Sequence, residues 1–390
     1  MKLSNEIKNF HERINYQLKP LPISVLKSHK INVGSLKNAK KTQLKIRAFH
    51  FTLLSIERCV DSSAMVFNQP FKWKKIGGER LYYEKELTEF ALQCLYLMHI
   101  PLGECVVQRT GKKEMIVIKI RPIEVTELTA EEQEVIFRKV RREKEKQVTF
   151  GADLELMIRN KKTKKYVDGG AIKNKQIGFD DAIALNNLRV YHPIFEVRPD
   201  PSVHIPQLHK NLNGLYSTVL KETSKYQYET VVDANPKQRF FLGGHLHFGN
   251  VPFTFQDVVS LDTFLAIPLS LIERKPSLQR RSHYGRLGSV RANPYDGFEY
   301  RVLSTWFSLI PNALPILQWI EFIINNTHKI NITKLKQKEI YNYYNNEKSE
   351  ISIDDWAREN KDSFQDVNGS SLFIDYIDCL KKLKGYCRDL

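Results

Sequence analysis

Between residues 150 and 302 this chain four times sets two charged or metal-ligating side chains one residue apart, in alternation with apolar residues. The pairs are Asp153/Glu155, Glu196/Arg198, His245/His247 and Glu299/Arg301, and the alternating residues are Leu154/Leu156, Phe195/Val197, Leu246/Phe248 and Tyr300/Val302. Side chains on a strand alternate between faces, so both members of each pair point one way and both apolar residues the other. A helix does not bring positions i and i+2 together. One such pair is an ordinary solvent-facing strand. Four in one region predict a single sheet with a polar floor on one face and a core under the other.

The residue types set the chemistry of that floor. Asp153, Glu155, Glu196 and Glu299 supply oxygen ligands, and His245 or His247 adds nitrogen. Four carboxylates gathered together repel one another and push up each other's pKa values unless cations sit among them. Hard oxygen ligands with little sulfur favour Mg²⁺ or Mn²⁺ over zinc. Arginines accompany them: Arg198, Arg280, Arg281, Arg286, Arg291 and Arg301. The guanidinium fork suits phosphate and carboxylate. Carboxylate-held Mg²⁺ with arginine is equipment for binding a nucleoside triphosphate and spreading transition-state charge. No G-x-x-x-x-G-K-[ST] occurs, which excludes a P-loop enzyme. Gly243-Gly244 precede the histidine pair, and Tyr284-Gly285 and Leu287-Gly288 fall in an arginine-rich stretch that reads as a loop. Glycine in or beside a strand marks a bulge or a close backbone approach.

The rest of the chain frames this region. Strand-like segments from Val148 onward alternate irregularly with helical stretches at Gln207–Lys225 and Phe255–Ile272, without a βαβ repeat, so the class is α+β with a largely antiparallel sheet. Upstream, residues 85–98 predict a helix ending near Pro101. Glu114–Val125 predicts a strand, and Thr129 is placed to cap a helix whose charged end near 139–147 marks a boundary. From about 328 the tail reads as helices, with Ser352 as an N-cap. Three parts result: a basic N-terminal α+β region (1–147), a catalytic domain (148–327) and a helical C-terminal part packed on it (328–390). The formal net charge is +16, and the first fifty residues hold eleven lysines and arginines against two acids. Such an excess suits an anionic partner or simply a solvated face. The five cysteines form no C-x-x-C, the start is polar, and no apolar run reaches the length of a membrane span. Reduced thiols in a cytoplasm, without a membrane, are the expectation.

Five segments in order resemble the phage-type carboxylate–amine ligases, or amidoligases, of the glutamine synthetase and glutamate–cysteine ligase superfamily. They are G-A-D-L-E-L (151–156), E-V-R-P-D-P-S (196–202), G-G-H-L-H-F-G (243–249), R-R-S-H-Y-G-R-L-G-S-V-R (280–291) and G-F-E-Y-R-V-L-S (297–304). The similarity runs over about residues 148–325; the segments before and after it match nothing recognised. The resemblance implies a curved antiparallel sheet with flanking helices, ATP and Mg²⁺ or Mn²⁺ on its concave face, and ATP-dependent amide formation through an acyl phosphate. It implies Asp153, Glu155, Glu196, His245 and Glu299 as metal ligands. By the same resemblance, His247, Arg291, Arg301 and Gly244 contact phosphate, Arg291 and Arg301 also stabilise the transition state, and Arg198 and Arg281 position a carboxylate substrate. The first pair is Asp-x-Glu where better-known relatives carry Glu-x-Glu, which implies that Asp153 reaches its ion through water. Substrates would be ATP, a carboxylate and an amine borne by an amino acid, peptide or protein, and a homo-oligomer is compatible with relatives that assemble.

Two other readings stand beside this one. A metal-dependent hydrolase would use His-x-His with glutamate to hold zinc. Against it, no further ligand follows His247 closely, and hydrolysis does not need so many arginines. A non-catalytic binder would use Lys27, Lys30, Lys37, Lys40, Lys41, Lys45 and Arg47 on nucleic acid or an acidic partner. Few aromatics interleave with those cations, which leaves base stacking little support.

Overall fold

The computed structural model describes residues 20–34, 43–60, 72–77, 82–110, 114–141, 147–172, 174–180, 184–186, 189–251, 253–273, 276–281, 284–332, 337–345 and 351–389. The chain divides into two compact units, residues 1–145 with 252–256, and residues 146–251 with 257–390. The fold is mixed α+β, and its sheets are built mainly of antiparallel strands.

The first unit holds a six-stranded sheet in the order β1-β6-β5-β2-β3-β4. Its strands are β1 (Asn32–Val33), β2 (Gln43–Phe49), β3 (Thr52–Val60), β4 (Lys72–Lys75), β5 (Leu102–Arg109) and β6 (Met115–Pro122), and the short helix α1 (Ser24–Ser28) precedes them. Helix α2 (Tyr82–Leu97) packs on β5 and β2. It ends where His99 takes a left-handed φ of 52°, two residues before Pro101. Helix α3 (Ala130–Arg141) starts with a capping box: the Glu132 amide donates to Thr129 Oγ1 at 3.2 Å, and the Thr129 amide donates to Glu132 Oε2 at 3.0 Å. Thr129 thus caps as its position in the sequence predicts. Two of the basic residues of this region are engaged locally. Arg47 lies 3.3 Å from Glu104 and 3.2 Å from Glu132, and Lys45 lies 2.6 Å from Glu57 and over the Trp73 ring. Lys37, Lys40 and Lys41 lie outside the described residues.

The second unit is built on a seven-stranded sheet in the order β14-β15-β13-β7-β11-β8, with β12 also paired to β7. The strands are β7 (Thr149–Asn160), β8 (Ile177–Phe179), β11 (Ile194–Val197), β12 (Tyr228–Val231), β13 (Gly244–Gly249), β14 (Val290–Asn293) and β15 (Gly297–Tyr300); β9 (Ala184–Asn186) and β10 (Arg189–Tyr191) form a separate hairpin. One face is the predicted core. Leu154, Leu156, Phe195, Val197, Leu246, Phe248, Tyr300 and Val302 are all buried. The helices that follow are α4 (Ile205–Lys225), α5 (Phe255–Leu261), α6 (Ile267–Ser270), α7 (Pro276–Arg281) and α8 (Leu314–Asn326); of these α4, α6 and α8 pack on the sheet or its buried residues. Leu246 shares an apolar pocket with Leu317 and Ile320 of α8. The stretch 255–272 is interrupted by a π-helical turn over Asp262–Ala266. There the buried Asp262 accepts a 2.6 Å hydrogen bond from the Tyr300 hydroxyl, which ties the turn to the back of β15.

The tail helices α9 (Gln337–Asn345), α10 (Ile353–Asn360) and α11 (Ser370–Asp389) belong to the same unit. Ser352 caps α10 by accepting from the Asp355 amide at 3.0 Å, as predicted. Trp319 of α8 stacks on Tyr376 of α11 at 5.4 Å between ring centroids, so the tail shares a core with the helices that back the sheet. Cys59, Cys94, Cys105 and Cys379 are buried and free. Among the described residues, no helix is long and apolar enough to cross a membrane.

Candidate active site

Strand register brings the four pairs onto one face. Glu196 stands opposite Glu155, and Asp153 opposite His245. His247 stands opposite Glu299, which in turn stands opposite Arg291 of β14. Directly opposed residues of an antiparallel pair point to the same side. Asp153, Glu155, Glu196, His245, His247, Glu299 and Arg291 therefore line one floor across five strands. This is the polar floor that the i, i+2 spacing predicts.

The floor has a centre. Glu155, Glu196 and His245 each offer a ligand atom within 4.8 Å of the others, and all three are buried. The Gly243 amide donates to Glu155 Oε2 at 2.6 Å. Even so, burial first of all, and then the charges of Asp180 and Glu196, push the Glu155 carboxyl up to about 7. Burial, then Asp153 and Asp180, push Glu196 up to about 7 as well, although Arg198 contacts it. Two buried carboxyls with raised pKa values lack positive charge, which a divalent cation would supply. The donor set, two carboxylates with one imidazole, fits Mg²⁺ or Mn²⁺.

His245 is held between two carboxylates. Its Nδ1 lies 3.1 Å from Glu299 Oε1, and its Nε2 faces Glu155 at 4.0 Å. Burial lowers its pKa and outweighs the pull of Glu299, so the ring is neutral. A neutral ring donating Nδ1–H to Glu299 leaves the Nε2 lone pair turned to the carboxylates, the orientation a metal-bound histidine needs. Glu299 itself faces the His245 ring N–H and two guanidiniums. Burial raises its carboxyl, but the hydrogen bond from His245 and the charges of Arg301 and Arg291 win and hold it at about 2. Arg291 Nε donates to it at 2.9 Å, and Arg301 Nε lies 3.3 Å away. Asp153 pairs with His247 at 2.9 Å. Burial lowers the His247 pKa, and the bond to Asp153 with the charges of Asp153, Glu299 and Glu196 more than restores it. Glu299 and Asp153 thus flank the Glu155–Glu196–His245 centre.

Two residues expected at the site lie elsewhere. Arg281 is fully buried, pairs with Glu273 and lies 4.3 Å over the Tyr343 ring, so its guanidinium is committed to the fold and does not reach the floor. Gly244 sits one residue out of phase with His245 and faces the core side. A Cβ there would meet the Trp306 ring at 2.3 Å, and the Trp306 indole N–H donates to the Gly244 carbonyl at 3.2 Å. Its glycine makes room for tryptophan rather than for phosphate. Gly243 is the glycine on the floor side: a Cβ there would come within 2.3 Å of the His245 ring.

The pair pattern also missed residues. Asp180 follows β8, and Gly178 of β8 stands opposite Glu196, so Asp180 falls on the floor side and its charge acts on both glutamates. No ligand-type residue lies two positions away, so a search for pairs passes over it. Arg280 is buried, donates to the Val302 and Arg301 carbonyls at 2.9 and 3.2 Å, and offsets part of the charge of Glu155.

An α+β chain with such a floor is equipped to hold a divalent cation beside arginines. A family model described as Phage phiEco32-like COOH.NH2 ligase-type 2 matches residues 150–384. The chain belongs to this family of carboxylate–amine ligases, enzymes that join a carboxylate to an amine. No curated protein matches the chain. The family match extends well past residue 325, where the resemblance read from the motifs ends, and reaches into the tail helices.

Proposed function

We propose that the protein forms amide bonds at the expense of ATP, through an acyl phosphate, in a glutamine synthetase-like site. The observation that carries this reading is the buried Glu155–Glu196–His245 centre beside Arg291 and Arg301 on one sheet face. Glu155, Glu196 and His245 would hold Mg²⁺ or Mn²⁺, with Glu299 orienting His245 and Asp153 and Asp180 adding negative charge. The bound ion would supply Lewis-acid charge to the triphosphate. In the first step a substrate carboxylate oxygen attacks the γ-phosphorus, and the bond to the ADP oxygen breaks. In the second the amine nitrogen attacks the acyl carbon, inorganic phosphate leaves with the C–O electron pair, and the nitrogen gives up a proton. Arg291, Arg301 and His247 would face the phosphoryl oxygens and neutralise charge that repels the incoming carboxylate. Arg198 (46% exposed in its side chain), at the Glu196 end of the floor, would hold that carboxylate.

The hydrolase reading finds less support. His247 is taken by Asp153, so one imidazole remains for the centre, and the hard oxygens around it disfavour zinc. The test is ADP release by purified protein with Mg²⁺, screened over amino acids, peptides and polyamines. The reading expects turnover that Glu155→Gln abolishes; turnover unchanged by Glu155→Gln and Glu196→Gln would sink the metal assignment.

A further inference from the structure

The loop that leads into Arg291 is held by a helix from the far end of the unit. Tyr343 and Tyr344 of α9 are both buried. The Tyr343 hydroxyl donates to the Gly285 carbonyl at 2.7 Å, and the Leu287 amide donates to the Tyr344 hydroxyl at 3.0 Å. These bonds grip the chain on either side of Arg286. Underneath, Arg281 lies across the Tyr343 ring and donates to the Tyr343 carbonyl, so α7 is locked to the same helix. The loop is also pressed against α7 and the chain that follows β15. A Cβ at Gly285 would meet the Val302 carbonyl at 2.9 Å and Arg280 Nη1 at 2.6 Å. Further on, the Ser289 amide donates to the Arg286 carbonyl at 3.0 Å, and the Ser289 carbonyl accepts from the Arg301 amide at 2.9 Å. Arg291 follows two residues later, beside Glu299.

We infer that Tyr343 and Tyr344 are positioning residues for the reaction: their hydroxyls fix the 284–289 loop, and through it Arg291, at the site. The inference rests on the ligase reading for the task of Arg291. Two neighbouring tyrosines on one helix would serve as plain packing if only their rings mattered. The hydroxyls are placed otherwise, one as donor and one as acceptor, on backbone groups of a single short loop. This gives the tail helices a reason to be part of the family's matched region.

The test uses the full chain with Tyr343→Phe, Tyr344→Phe and the double substitution, which keep the rings and remove only the hydroxyls. Three readings are taken: amide hydrogen exchange over 284–291, ADP release with Mg²⁺ and ATP, and Mn²⁺ affinity. Exchange over the loop is expected to quicken in both single variants, most at Leu287 in Tyr344→Phe. The kcat/KM for ATP is expected to fall on the order of 10- to 100-fold, the usual cost of loosening groups that orient a site. Mn²⁺ affinity is expected to stay within about twofold, because the loop does not build the Glu155–Glu196–His245 centre, whereas general damage to the fold would weaken both. Unchanged loop exchange overturns the inference. So does wild-type turnover that survives the double substitution, or Mn²⁺ affinity that falls in step with turnover. A wild type that releases no ADP with any substrate overturns the ligase reading and this assignment together.

Discussion

Replacing Glu155 with glutamine should make the metal-free protein more stable and deprive it of its response to metal. The Glu155 carboxyl is pushed from 4.5 to about 7, chiefly by burial. At roughly 1.4 kcal/mol per pKa unit, that places about 3 kcal/mol of cost on the ionised side chain in the folded state. Glutamine has the same shape, and its carbonyl can still accept from the Gly243 amide, so the substitution removes the charge and little else. The sign follows from the direction of the shift. Below about pH 4.5 the carboxyl is protonated folded and unfolded, and wild type and variant should match. As pH rises from about 4.5 to 7 the unfolded state ionises first, wild type loses stability, and the variant pulls ahead. At pH 8 in chelator the melting temperature of Glu155→Gln should exceed that of wild type by roughly 6–12 °C, taking about 2–4 °C per kcal/mol for a unit of this size. Adding Mn²⁺ or Mg²⁺ at about 1,000 times its Kd should reverse the order, since such a ligand adds about 4.1 kcal/mol to wild type alone. The assay is thermal melting across pH 4.5–8 with and without metal. A variant no more stable than wild type at pH 8 in chelator, or one that keeps the full metal response, refutes the reasoning.

Other expectations rest on neighbouring contacts. Glu299→Gln should destabilise the protein at neutral pH by about 3 kcal/mol, because it strands His245, Arg291 and Arg301 around a buried site. Urea unfolding measures this, and the wild-type advantage should shrink as pH falls below about 4.5 and be gone near pH 2, where the Glu299 carboxyl is protonated folded as well as unfolded. Gly244→Ala should cost about 1–3 kcal/mol through overlap with the Trp306 ring, and Trp306→Leu should recover part of that in a double-mutant cycle. Arg281→Met should lower the melting temperature by leaving the Glu273 charge without its partner, while the KM of the carboxylate substrate in the folded enzyme stays unchanged. A large rise in that KM with stability intact would return Arg281 to the substrate site.

Much of the second unit's sheet was legible from local pattern. Side-chain alternation is a property of any extended strand, so the pairs at 153/155, 196/198, 245/247 and 299/301 could be assigned a common face strand by strand. The caps at Thr129 and Ser352 were legible for the same reason, because they depend on residues three positions apart. Asp180 was not, since it reaches the floor only through the pairing of β8 with β11. Gly244 was misread as a phosphate contact because its motif position was followed instead of its parity.

What sequence spacing settles is therefore which side chains share a face of one strand, and with it the carboxylate, histidine and arginine chemistry of the floor. Strand order and register belong to tertiary structure. They set Glu155 against Glu196 and His247 against Glu299, and no spacing along the chain contains them. Tertiary packing also separated arginines that look alike in sequence. Arg291 ends beside Glu299 on the floor, while Arg281 is buried between Glu273 and Tyr343. A guanidinium goes where its counter-charge and its burial balance, and both are supplied by residues far away in the chain.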